Sequence, residues 1–368
     1  MKIVFIGGRD IHKLGGIENY MYNLATHLVK NGHTPVVYCE SDKNQIEYVN
    51  GFKVIHQRSW GGRYICKILL SYKASVKSLL YEKDTMVYHY NTWVPSLSSW
   101  LPRIFGKIVI LQGHGLEWKR TKYSPFQQKI MHFMEYITAK AHKNLLMVSQ
   151  EQTDFFEVHY KKKCITIPCA VNLPLKKSSE SNILLKYNLK PRSYFLFLGR
   201  LVQDKNPDYL IKAYLQSGIK DKQLVIAGDN VNDLAYVKYI HQLAAGNPSV
   251  IFTGAVYGLD KASLLKECLA FCIPSTLEGL PITLLEAMSY GCICLASDIL
   301  ACKEALGEFG IWVEPENVHD LIAKLLLIKK DEYYLREKQS FAVYQRVANN
   351  FTWKKIADQY DSYLKSLV

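Results

Sequence analysis

The sequence of 368 residues has no run approaching the roughly 18 consecutive apolar residues that a bilayer-crossing helix needs. Its N-terminus, Met1-Lys2-Ile3-Val4-Phe5-Ile6-Gly7, reads as a strand and lacks a secretory cleavage site. Both absences predict a cytoplasmic protein. There is no Cys-x-x-Cys pair, and the nine cysteines are scattered and odd in number. In a chain long enough to bury ordinary cores, this argues for reduced thiols and against a disulfide framework or a zinc site. Gly-x-Gly-x-x-Gly is missing too, so the dinucleotide fingerprint is not met. No repeat or low-complexity segment occurs. With 49% hydrophobic and 21% charged residues, disordered, collagen-like and coiled-coil classes drop out.

Acidic residues are unevenly missing. Residues 1–170 carry 23 Lys/Arg against 12 Asp/Glu, net +11, whereas 171–368 carry 23 against 21, net +2. Between Glu47 and Glu82 there is no acid at all, only Lys53, Arg58, Arg63, Lys67, Lys73 and Lys77 interleaved with Phe52, Trp60, Tyr64 and Tyr72. Such a stretch suits phosphates or an anionic membrane surface, and equally a solvated helix whose aromatics pack on a sheet. Peripheral attachment to the inner face of the plasma membrane is the expectation drawn from it.

What is present alternates. Strand-length apolar runs and helical periods follow one another along the whole chain, which predicts an α/β protein with mostly parallel sheets. In the first half the predicted strands are Lys2–Gly7, Pro35–Cys39, Phe52–His56, Met86–Tyr90, Ile108–Gln112, Leu145–Ser149 and Cys164–Pro168. In the second they are Tyr194–Gly199, Leu224–Gly228, Val250–Thr253, Phe271–Pro274, Ile293–Ala296 and Ile311–Val313. Ile17, Tyr20, Met21, Leu24 and Leu28 fall on one face of a first helix that Gly32 stops. The polar stretch from Asn172 to Asn182, with Pro174, separates the halves. Three segments are expected: 1–172 and 173–350 as Rossmann-like, doubly wound domains facing a central cleft, and 351–368 as a helix returning to the N-terminal domain.

Doubly wound sheets bind ligands beyond the carboxyl ends of their strands, so the residues just past each strand carry the chemistry. Gly15-Gly16 precede the first helix, where backbone can approach an anion, although a glycine pair is also plain turn geometry. His114, between Gly113 and Gly115, follows the fifth strand and could donate to a sugar hydroxyl; a lone histidine is as often structural. Arg200 and Lys205 share one short loop, a fork and a point charge suited to a diphosphate. The strongest signal is Glu278-Gly279-Leu280-Pro281-Ile282 leading to Glu286. Pro281 fits the first helical position and Gly291 the stop, placing Glu278 before the helix and Glu286 two turns inside it. A carboxylate there can accept two hydrogen bonds from vicinal hydroxyls such as a ribose's.

Over nearly its whole length the sequence resembles the retaining nucleotide-sugar glycosyltransferases of family 4, which have the two-domain GT-B fold. The resemblance runs through Gly15-Gly16, Gly199-Arg200 to Lys205, Glu278 to Glu286, and Ser297-Asp298 with Glu304. It implies that Arg200 and Lys205 hold the donor diphosphate, that Glu286 holds the ribose, and that Gly279, Leu280, Pro281 and Ile282 present the amide-lined turn. Glu278 would contact the transferred sugar and His114 would reach it from the front domain. The segment from His114 to Arg120 also looks like bacterial rhamnosyl- and hexosyltransferases of capsule, O-antigen and other surface-polysaccharide synthesis. One departure is Pro168-Cys169-Ala170-Val171-Asn172, where the family often shows Pro-Asn-Gly-Val. The Asp-x-Asp pair with which the other major glycosyltransferase fold holds a metal is missing. The expectation is therefore a nucleoside-diphosphate sugar as substrate, no metal or other cofactor, and a saccharide or lipid-diphosphate-linked saccharide as acceptor. A catalytically silent sugar-nucleotide-binding relative would share the same residues. An NAD-dependent oxidoreductase would leave the glutamate pair unexplained, and a nucleic-acid partner is not expected because the charge sits on no recognisable binding module.

Overall fold

The structure, a computed structural model, describes residues 1–12, 15–59, 63–121, 123–174, 181–230 and 233–368. Lys13 and Leu14 of the glycine-rich loop, Trp60, the side chains of Arg63 and Tyr64, residues 175–180 of the interdomain stretch, and residues 231–232 lie outside that description. The chain divides into two compact units: Met1–Lys119 with Tyr123–Ala170 and Trp353–Val368, and Arg120–Lys122 with Val171–Thr352.

The first unit is built on eight strands: β1 (Lys2–Gly8), β2 (Thr34–Ser41), β3 (Gln45–Val49), β4 (Phe52–Arg58), β5 (Thr85–Asn91), β6 (Ile108–Gly113), β7 (Asn144–Met147) and β8 (Ile165–Thr166). Their order is β3-β4-β2-β1-β5-β6-β7-β8. Among the described residues only β3 runs antiparallel to its neighbour. Central strands read as unbroken apolar runs because helices cover both faces, and Ile3, Val4 and Phe5 of β1 are wholly buried.

Sequence reading missed β3. It lies at the sheet edge with its pattern inverted, Ile46 and Tyr48 turned to solvent while Glu47 and Val49 are partly covered. Its turn does carry a signal, since Asn50 and Gly51 adopt φ of 48° and 84°, the left-handed pair of a tight hairpin.

The first helix, Gly16–Lys30, buries Tyr20, Met21, Leu24, Ala25 and Leu28 and ends before Gly32 at φ 81°. The C-terminal helix, Trp353–Ser366, packs in the same unit. Tyr360 Oη lies 2.7 Å from His89 Nδ1, and Trp353 meets the edge of the Tyr20 ring.

The second unit has six parallel strands: β9 (Tyr194–Leu198), β10 (Gln223–Ala227), β11 (Val250–Gly254), β12 (Ala270–Ile273), β13 (Ile293–Ser297) and β14 (Ile311–Val313). Their order, β11-β10-β9-β12-β13-β14, reverses direction between β9 and β12. A doubly wound sheet opens a crevice at such a reversal, because the connections leaving the two adjacent strands depart to opposite faces. The corresponding reversal in the first unit falls between β1 and β5.

Candidate functional site

In the second unit the two strands at the reversal deliver the predicted donor residues. The loop after β9 carries Arg200 and Lys205, and the loop after β12 carries Glu278. Backbone bonds fasten the loops together. Thr276 N donates to Asp204 O at 2.9 Å, and the buried Asn206 side chain donates to Pro274 O at 3.1 Å. Asn206 takes φ 48°, turning the chain sharply into the helix Pro207–Gln216. Gly228 at the end of β10 is equally constrained, since a Cβ there would stand 1.8 Å from Gly199 O.

The outcome is an ion pair. Lys205 Nζ lies 2.6 Å from Glu278 Oε1, and Ser275 Oγ donates to the same oxygen at 2.8 Å. Burial alone would raise the Glu278 carboxyl, but Lys205 and Ser275 hold it below the usual carboxylate range. Arg200 stands exposed on the β9 loop.

Two local expectations need correcting. Pro281, at φ −76° and ψ 98°, is the residue before the helix Ile282–Ser289 rather than its first member. The helix therefore starts one residue later than its proline suggested, and Glu286 sits just over one turn inside it instead of two. Gly279, Leu280 and Pro281 are buried, while Ile282 and Glu286 are half-buried. Glu286 is paired with a lysine that no motif indicated: Lys261 Nζ, from the helix Gly258–Glu267, lies 2.6 Å from Oε1. A cavity of about 470 Å³ opens beside the Arg200–Lys205 loop at Gln203, Asp208, Tyr209, Asp233, Tyr236 and Tyr239. None of the expected donor residues lines it.

In the first unit Gly15 caps the first helix, and a Cβ there would meet Glu18 Oε2 at 2.0 Å. Glu18 folds back over the loop, accepting from Arg9 N at 2.9 Å. The spot that Gly15-Gly16 was expected to offer an anion thus has a carboxylate of the protein beside it. His114 is half-buried, with the Tyr20 ring edge-on at 5.0 Å. Its Nε2 lies 3.1 Å from Asn91 Oδ1, and the Asn91 amide donates to Ile6 O at 3.4 Å. Burial lowers the imidazole pKa to about 4, so the ring is neutral at physiological pH. With Nε2–H donating to Asn91, Nδ1 is the acceptor nitrogen, opposite to the donor role expected from an exposed ring.

The acid-free stretch also differs from expectation. Lys53 is held with Lys2 by Glu82, at 2.6 and 3.1 Å, which removes it from the set of surface cations. The helix Arg63–Tyr81 turns small residues inward, Cys66, Ser71, Ala74, Ser75 and Ser78, and leaves Ile65, Leu69, Val76 and Leu80 exposed. Trp100 Nε1 donates to Tyr72 Oη on this helix, and Trp100 and Ile104 are exposed as well. Among the described residues no helix is long and apolar enough to cross a membrane.

Two family models match. One described as Glycosyltransferase Family 4 covers residues 14–174, and one described as Glycosyl transferases group 1 covers 182–346. The chain is a glycosyltransferase of the GT-B fold. This glycosyltransferase is 25% identical to an uncharacterized glycosyltransferase of Methanocaldococcus jannaschii, over 94% of its own length and 93% of the relative's. It is 27% identical to the UDP-Gal:alpha-D-GlcNAc-diphosphoundecaprenol alpha-1,3-galactosyltransferase of Escherichia coli, over 70% of its length and 69% of the relative's. Among solved structures, a sucrose-phosphate synthase from Thermosynechococcus elongatus matches with a TM-score of 0.84 at 18% identity, over 100% of this chain and 98% of that one. That likeness is one of fold.

Proposed function

We propose that this glycosyltransferase moves a sugar from a nucleoside-diphosphate sugar to a lipid-diphosphate-linked saccharide, with retention at the anomeric carbon and without a metal, in the assembly of a bacterial cell-surface polysaccharide. The observation that carries the reading is the Lys205–Glu278 pair at the strand reversal, 2.6 Å long and beside the buried Gly279-Leu280-Pro281 turn. An ammonium has three N–H donors, so Lys205 can keep Glu278 and still meet a phosphate oxygen. As the bond from the anomeric carbon to the diphosphate lengthens, charge grows on the leaving oxygen. Lys205, Arg200 and the first amides of the helix Ile282–Ser289 then stabilise it, doing the work that a metal does elsewhere. The acceptor hydroxyl attacks the face that the diphosphate leaves, and its proton passes to the departing oxygen, so no separate carboxylate base is needed. Glu286 accepts from the ribose hydroxyls, with Lys261 on Oε1 leaving Oε2 for the ligand. Glu278 touches the transferred sugar, and His114 accepts a sugar hydroxyl through Nδ1.

The name of the E. coli relative favours UDP-galactose as the first donor to try and a diphosphoundecaprenol-linked sugar as acceptor. The rhamnosyl likeness of the His114 segment makes dTDP-rhamnose the second. The exposed apolar face of the helix Arg63–Tyr81, with Lys73 and Lys77 on the same helix, supports peripheral attachment to anionic lipid. Two cations at about 1 kcal/mol each add to the apolar contact. Flotation with liposomes tests it, and equal binding to neutral and anionic vesicles would count against the charge contribution.

The deciding experiment is calorimetric titration with UDP, GDP, dTDP and NAD in the presence of a chelator, followed by sugar transfer to a lipid-diphosphate-linked acceptor. Binding of one nucleoside diphosphate with transfer supports the proposal. Binding without transfer points to a silent relative, and binding of NAD alone would overturn the assignment.

A further inference from the structure

At the edge of the first unit's sheet, three side chains distant in sequence converge. His12 comes from the loop after β1, Glu47 from β3 and His56 from β4. His12 Nε2 lies 2.6 Å from Glu47 Oε1, and His56 Nε2 lies 2.8 Å from the same oxygen. The two rings stack 15° from parallel with centroids 6.1 Å apart. Glu47 has a second oxygen and spare lone pairs, yet both imidazoles aim at one atom. Nitrogen, nitrogen and carboxylate oxygen lie within 4.8 Å of one another. Behind them the buried His56 turns Nδ1 to Cys39 Sγ at 3.5 Å, so its other ring nitrogen already has the outer partner that fixes a ligating imidazole. Asp10, beside the cluster, accepts from the backbone N–H of His12 at 3.0 Å.

We propose that His12, Glu47 and His56 form a site for one divalent transition-metal ion, with zinc the best chemical match. Two neutral imidazoles and one carboxylate are the borderline nitrogen and oxygen set that zinc takes in tetrahedral geometry, with a fourth position toward the exposed side of His12. Zinc–ligand bonds of about 2.1 Å place neighbouring ligand atoms of a tetrahedral site about 3.4 Å apart, so the two nitrogen–oxygen separations open by roughly 0.6–0.8 Å when the metal takes the place of the two hydrogen bonds. His12 is half exposed and Glu47 sits on an edge strand, so both can move that far. The ion fastens the loop that leads to Gly15-Gly16 to the sheet edge. None of the three residues belongs to the donor set, so this proposal stands or falls separately from the transferase chemistry.

Chelator-stripped full-length protein, titrated with Zn²⁺ at pH 7.5, should bind one ion per chain and melt at a higher temperature. Co²⁺ should give the visible bands of a four-coordinate nitrogen and oxygen site without the thiolate band that cysteine ligation would add. His12→Gln and Glu47→Gln should each weaken Zn²⁺ binding more than about tenfold while leaving nucleotide binding unchanged. His12 is exposed enough that its substitution leaves the core intact, so a folded variant is available for the comparison. No saturable binding in the micromolar range, a thiolate spectrum, or unchanged affinity in both variants would overturn the proposal.

Discussion

The two units share a doubly wound plan but differ in how much of their buried charge is paired. In the second, nearly neutral overall, the two carboxylates of the candidate site are ion-paired, Glu278 with Lys205 and Glu286 with Lys261, each at 2.6 Å. In the first, which holds almost all of the net charge, the buried Glu82 is paired with Lys2 and Lys53, but burial disfavours the charged form of several other groups. Burial lowers His89 to about 3, His114 and His142 to about 4, and raises Glu135 to about 7. The lesson is that net charge locates a surface property, while the chemistry depends on which few charges the fold brings inside.

The largest test of this contrast removes the C-terminal helix from the first unit. Trp353, Ile356, Tyr360 and Leu364 are each at least 98% buried. At about 1.5–3 kcal/mol apiece their burial is comparable to the whole stability of a domain. A chain ending at Thr352 should lose the melting transition of the first unit and keep that of the second. Calorimetry resolves the two, and survival of both transitions would show that the helix is dispensable.

Next in size is Glu135, a carboxyl buried without a cation. Tyr160 Oη and Trp118 Nε1 donate to its Oε1, at 2.9 and 3.1 Å, while Oε2 has no partner. Its folded pKa, raised mainly by burial, lies above the unfolded value near 4.5, so folding takes up a proton. The stability this group contributes is complete below pH 4.5 and lost as pH rises through about 7, on the order of 3 kcal/mol. Glu135→Gln should flatten that loss. Unfolding free energies of the two proteins at pH 5 and pH 7.5 isolate the effect, because the histidines are common to both.

In the second unit Arg200→Ala should lower kcat/KM by about 10- to 150-fold, the equivalent of one charge-assisted hydrogen bond of roughly 1.5–3 kcal/mol. Unchanged kinetics would remove Arg200 from the diphosphate site. Because Arg200 stands exposed on its loop, the variant should melt like the parent, which separates this effect from the two above.

What sequence could reveal follows the same division. The loops proposed to hold the donor could be located from sequence because Arg200, Lys205 and Glu278 sit directly after strong apolar strands, while their roles came from the family resemblance. Lys261 was not legible: it enters from the neighbouring helix, and only the packed fold brings it to Glu286. Asn206 was missed because its left-handed turn leaves no apolar signature, although Asn-Pro is a turn signal. The β3 strand escaped because its large apolar residues face outward, so alternation marked no buried side. The cluster of His12, Glu47 and His56 was invisible for the same reason, since it depends on that hairpin. The odd count of scattered cysteines, which argued against any zinc site, bears only on a metal built from thiols and carries no information about imidazoles.

The smallest expected effect concerns Glu286 and Lys261. If Glu286 holds the ribose through Oε2, Glu286→Ala removes one or two hydrogen bonds of about 1 kcal/mol each and should weaken binding of the nucleoside diphosphate by roughly five- to thirtyfold. Lys261→Ala removes only the partner on the other oxygen, so it should cost less, and the double variant should be no worse than Glu286→Ala alone. Such non-additivity is expected when one side chain acts by holding another. Titration of the three variants reads it directly. If Lys261→Ala proved the more damaging of the two, the lysine itself would be contacting the ligand, and the contrast between the two units would have to be redrawn around a cation instead of a carboxylate.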